Sequence, residues 1–194
     1  MDQHHSESLH QLLATHGLLL SNDTTNTAST GSLWTEPQLD HLNLVWHRLD
    51  PWPDTNRGLA ELNKRFNTCT LSNGNIALLQ DMVSHAGMPF THIYSAEMFQ
   101  SYKPSPKVYL GAAEKMGIKP EECCLVAAHL DDLKAAKSNG FSTVYVERPL
   151  EERNLAQREE SGIVDVWVKE GEEGFVEAAR KLGIDVGGKK GSKL

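Results

Sequence analysis

The chain has 194 residues, 39% of them hydrophobic and 23% charged, ordinary values that exclude wholesale disorder and collagen-like architecture. Its 19 basic and 26 acidic residues leave a net charge of −7, which argues against a nucleic-acid binder with its basic patch. No stretch of eighteen consecutive apolar residues occurs, so no membrane-spanning helix is expected.

Taken in order, Met1 to His5 shows no basic run leading into an apolar one, so a secretory signal is not expected. Leu9, Leu12 and Leu13 share one face of a short helix ending near Gly17. The polar stretch Ser21 to Ser32 reads as a loop without a core of its own. Leu39, Leu42, Val45, Trp46 and Leu49 follow helical spacing until Pro51 ends the helix.

From about residue 58 the rhythm changes. Short apolar runs at Cys69–Leu71, Ile93–Tyr94, Cys123–Ala128, Thr143–Val146 and Val164–Val168 alternate with helical segments. Those segments are Ile76–His85, Pro106–Met116, Asp132–Ser138 and Glu172–Leu182. Apolar runs without period-2 alternation, separated by amphipathic helices, predict a doubly wound α/β core whose parallel sheet is covered on both faces. Three cysteines, Cys69, Cys123 and Cys124, fit no disulfide framework and point to a reducing, intracellular compartment.

Chemistry in such a sheet gathers at the carboxyl ends of the strands. Three clusters stand there. Ser72, Asn73 and Gly74 precede a helix, where a hydroxyl, an amide and backbone N–H groups can meet an anion; Asn75 suits the helix cap. Lys103 is held in an extended lead-in by Pro104, with Ser105 as cap and Pro106 as first helical residue. His129, Asp131 and Asp132 follow the third run, as a site for a catalytic acid or as an acidic first turn complementing the helix dipole.

In this order and spacing, Ser72-Asn73-Gly74, then Lys103-Pro104 with Tyr109 six residues past the lysine, then Ala127-Ala128-His129-Leu130-Asp131-Asp132, the chain resembles the haloacid dehalogenase superfamily. The type II 2-haloacid dehalogenase branch is the best match, over residues 7 to 182. The resemblance implies a haloacid dehalogenase-like Rossmannoid core at residues 55–183. A partial helical cap and hinge would occupy residues 1–54, and a flexible tail residues 184–194. It also implies a hydrolase in which an aspartate displaces halide from a small 2-halo or related carboxylate and water cleaves the ester. Lys103 and Asp132, with Asp131 and His129 beside them, would be the catalytic set. Ser72, Asn73, Gly74 and Tyr109 would bind the anionic substrate. Phosphatase relatives carry Gly-Asp where Ala127 and Ala128 stand, so the metal-free branch is favoured, with no metal and no cofactor expected.

Family members open with a strand ending Asp-x-x-Gly-Thr, whose first Asp is the nucleophile. This sequence starts within the cap, so the first core strand is expected to be missing. A truncated hydrolase of low or no activity follows, with a non-catalytic binding or regulatory short form as the alternative and a phosphatase relative as a weaker one. Two inner sheet edges would then lack a partner, which predicts lower stability than a complete relative or another segment in the gap. The family's habit of dimerising suggests a homodimer, although no dimer face stands out in the sequence. The last residues, Ser192-Lys193-Leu194, match the peroxisomal address read by the import receptor. The expected location is therefore the peroxisome, with the cytoplasm as alternative.

Overall fold

The structure, a computed structural model, describes residues 2–18, 34–152 and 162–187. The polar loop expected at Ser21 to Ser32 and the tripeptide Ser192-Lys193-Leu194 lie outside the described residues. The chain divides into two units, at Leu49 and Asp50.

In the first unit, helix α1 spans Asp2–Thr15 and α2 spans Glu36–Asn43, followed by a 3-10 turn at Leu44–Arg48. Leu13 and Leu39 are buried, and the His10 ring lies 3.2 Å from the Glu36 carboxylate. The single helix expected through Leu49 changes character at Leu44. A 3-10 turn advances 120° per residue instead of 100°, so later residues leave the face of Leu39. Val45, Trp46 and Leu49 are accordingly exposed, and Leu42, within α2, is exposed as well.

The second unit runs α3 (Thr55–Leu62), β1 (Cys69–Ser72), α4 (Ile76–Ala86), β2 (His92–Ser95), α5 (Pro106–Met116) and β3 (Cys124–Ala127). It continues with α6 (Leu130–Ser138), β4 (Ser142–Val146), β5 (Val166–Val168) and α7 (Gly174–Lys181). All pairings are parallel: β1 with β2, and β3 with β4 with β5. Among the described residues these form two sheets, so β1 and β3 each have one unpaired edge. Both edges border one core, because Leu71 of β1 and Leu125 of β3 pack on the cluster of Tyr109, Ala113, Ala136 and Phe141.

Strand β4 shows why its sequence is β-branched. Val144 and Val146 pack with Val168 and Ala178, while Tyr145 packs with Leu130, Leu133 and Ile163. Both faces are thus covered, and each buried valine contributes about 1.5–3 kcal/mol by leaving water.

Helix α3 has no separate signal in the sequence, and packing defines it. Its Gly58 lies against α7 so closely that a Cβ there would stand 2.6 Å from the Phe175 carbonyl carbon. Only glycine allows that approach. The core also continues past residue 183: Ile184 and Val186, expected in the tail, are buried with Leu62, Val176 and Ala179. Two apolar residues spaced by one polar residue can cover a helix pair without forming a regular element, so periodicity does not reveal them.

Candidate active site

Lys103 sits in the irregular segment between β2 and α5, where the Lys103–Pro104 peptide is cis. Ser105 occupies the cap position of α5 and Pro106 its first turn, as the sequence suggests. The Lys103 Nζ donates to Asp132 Oδ2 at 2.5 Å. Tyr109 OH donates to Asp132 Oδ1 at 2.6 Å. Residues 29 and 23 apart in sequence thus meet at the carboxyl ends of β1 and β3, because α5 and α6 both pack on that side of the sheets.

The lysine and aspartate side chains are 17% and 18% exposed, which protects the pair from screening yet leaves a face toward solvent. Burial pushes the Tyr109 phenol well above its ordinary pKa, and the Asp132 carboxylate pushes it further. Tyr109 therefore stays protonated and remains a donor. Asp132 accepts from both groups, while the ammonium has three protons and spends one on this contact. Lys103 can offer the others to an anion in front of it. The site is a half-buried cation, countered by Asp132 and with part of its surface toward solvent.

Asn73 joins this cluster through the Lys103 backbone. Its Oδ1 accepts from Lys103 N at 2.7 Å and its Nδ2 donates to Lys103 O at 3.2 Å. Ser72 and Gly74 hold each other, Gly74 N donating to Ser72 Oγ at 3.0 Å. The anion cradle suggested by the sequence at the start of α4 is taken by the protein's own side chains. Asn75 caps Leu78 N at 2.7 Å, and the Glu97 carboxylate accepts from Ile76 N at 2.9 Å. Asn75 is the cap the sequence suggests. Glu97 was not legible, because 21 residues separate it from its partner and only the β1–β2 pairing joins them.

His129 and Asp131 stand apart from the Lys103–Asp132–Tyr109 cluster. The His129 ring is exposed and lies 3.1 Å from a Glu151 carboxylate oxygen. Asp131 is exposed on the first turn of α6. The Glu152 carboxylate accepts from Leu130 N at 2.7 Å and caps the helix. Asp131 is turned about 100° around α6 from Asp132, and His129 is the extended cap residue ahead of the helix. Among the described residues, no group of three or more His, Cys, Asp or Glu side chains is placed to hold a metal ion.

A family model for haloacid dehalogenase-like hydrolases matches residues 5–140. The chain belongs to that family. Its relatives place it on the type II 2-haloacid dehalogenase branch. It is 34% identical to the (S)-2-haloacid dehalogenase of Xanthobacter autotrophicus over 139 residues, 69% of this chain and 54% of that protein. It is 31% identical to (S)-2-haloacid dehalogenase 4A of Burkholderia cepacia over 112 residues, 56% of this chain and 48% of that protein. The chain spans about half the length of these relatives. A crystal structure of an L-2-haloacid dehalogenase superposes with a TM-score of 0.71 at 34% identity, covering 93% of this chain and 73% of that one. The haloacid dehalogenase fold of this chain is thereby shown, as is its kinship with hydrolases.

Proposed function

We propose that this family member carries the anion-binding half of a 2-haloacid dehalogenase-type site, for a small 2-halo or related carboxylate. The observation supporting it most is the Lys103 ammonium, braced by Asp132 and Tyr109 at the strand ends. In this reading a carboxylate oxygen forms a bond to the substrate α-carbon as the carbon–halogen bond breaks and halide leaves. Water then adds to the ester carbonyl and hydroxy acid departs. Lys103 stabilises negative charge on the reacting groups.

The nucleophile itself is not assigned within the described residues. Asp132 spends its oxygens on Lys103 and Tyr109, and Asp54 spends both of its own on Arg148. This favours, as the second reading, a short form that binds the anion without turning it over.

The test is titration of the 194-residue protein with (S)-2-chloropropionate, followed by NMR and by chloride release. Shifts at Lys103 and Tyr109 are expected, and Lys103→Ala should weaken binding at least ten-fold. Binding that leaves those residues unmoved would overturn the substrate class. Chloride release by this chain would overturn the non-catalytic reading and require a nucleophile among its residues. We also propose peroxisomal import through Ser192-Lys193-Leu194, a reading that rests on the tripeptide alone.

A further inference from the structure

Lys103 lies in neither helix nor strand, so its backbone N–H and C=O have no ladder to join, and every half-buried backbone group must find a partner. Both partners are supplied by one side chain. Asn73 accepts from Lys103 N at 2.7 Å and donates to Lys103 O at 3.2 Å. We infer that Asn73 is a positioning residue, a two-point amide clamp that fixes where the Lys103 ammonium meets Asp132. The inference rests on the reading of Lys103 as the cation of the proposed site.

The clamp is itself braced. Ser95, fully buried at the end of β2, donates to Gly74 O at 2.5 Å. Ser72 accepts from Gly74 N at 3.0 Å. These two bonds fix the backbone immediately after Asn73, and the β1–β2 register, which places Ser72 beside Ser95, fixes them. A path of hydrogen bonds, linked covalently at Gly74–Asn73 and within Lys103, therefore runs from Ser95 through Gly74, Asn73, Lys103 and Asp132 to Tyr109. It begins in the β1–β2 sheet, reaches Asp132 on α6, which packs on the β3–β4–β5 sheet, and ends at Tyr109 on α5. Among the described residues those sheets share no strand pairing, so this polar chain ties their carboxyl ends together across the site.

The test reads Lys103 directly and needs no turnover. The full-length chain is treated with an amine-acylating reagent, and modification of Lys103 and Lys137 is compared by mass spectrometry from pH 6.5 to 9.5. Lys137 is the internal control, paired with Asp165 on another face. In Asn73→Ala the Lys103:Lys137 ratio should rise at least three-fold, with the Lys103 profile displaced. Asn73→Asp keeps the acceptor for Lys103 N–H and should restore at least half of that change. General loosening would raise both lysines alike, leave the ratio unchanged and overturn the inference. A second measurement covers a variant that fails to fold: in the unaltered protein the Lys103 amide should exchange with deuterium at least ten-fold slower than an unprotected amide. Exchange at the unprotected rate would overturn the clamp. Absence of anion binding alongside a protected amide would overturn the proposed function and leave the clamp standing.

Discussion

Asp54 shows, residue by residue, how the start of α3 is pinned. Its carboxylate takes a two-pronged contact from Arg148, at 2.6 and 2.7 Å, and a third bond from Phe175 N at 2.7 Å. The guanidinium also lies over the Trp52 ring, 5.0 Å from its centroid, and faces Phe175 at 5.7 Å. Burial alone would raise the Asp54 pKa, but the Arg148 pair and the Phe175 amide outweigh it and hold the carboxyl below its ordinary value. A group with a depressed folded pKa stabilises fully above its unfolded pKa, about 4. That contribution is lost as pH falls through the folded value. Asp54→Asn should therefore lower unfolding free energy by about 3 kcal/mol at pH 7, since it strands Arg148 in a half-buried position. In urea titrations the gap between variant and parent should shrink at pH 3. An equal gap at both pH values would show that charge is not what the pair contributes.

At the scale of elements, strand position decides stability. Strand β4 has neighbours on both sides, whereas β1 and β3 each pair on one side only among the described residues. Their residues are mostly half-buried, against four fully buried residues in β4. Amides that face an open edge exchange without disturbing the core, so hydrogen exchange should be slowest in β4 and at least ten-fold faster along the open edges of β1 and β3. Each unpaired buried group costs about 1–3 kcal/mol. Urea unfolding should therefore give a free energy near the low end of the usual range of about 5–15 kcal/mol. Uniform protection across the three strands, with a steep transition of ordinary stability, would mean that both edges are covered in solution.

For the whole molecule, the proposed destination gives the simplest test. A fluorescent fusion ending in Ser192-Lys193-Leu194 should collect in peroxisomes, and the same fusion without that tripeptide should spread through the cytosol. Continued peroxisomal import after deletion would show that the signal lies elsewhere. The net charge of −7 disfavours adhesion to nucleic acid or anionic membranes in either compartment.

The alternation of strands and helices in the second unit follows from residue choice along the chain. Apolar runs such as Thr143–Val146 and helix boundaries such as Ser105–Pro106 are written in local residue choice, and local choice needs no partner. The same locality showed Asn73, Lys103 and Asp132 at strand ends, with Tyr109 at a fixed spacing past the lysine, which is why the family was legible. Which of these side chains meet depends on how the elements dock. The Asn73 amide faces the Lys103 backbone 30 residues away, His129 pairs with Glu151 instead of joining the cluster, and Asp54 finds Arg148 across 94 residues. The same holds for α3 and for Ile184 and Val186, whose burial depends on α7. Contacts of that kind depend on helices and strands docked in three dimensions, and periodicity along one chain carries no record of them.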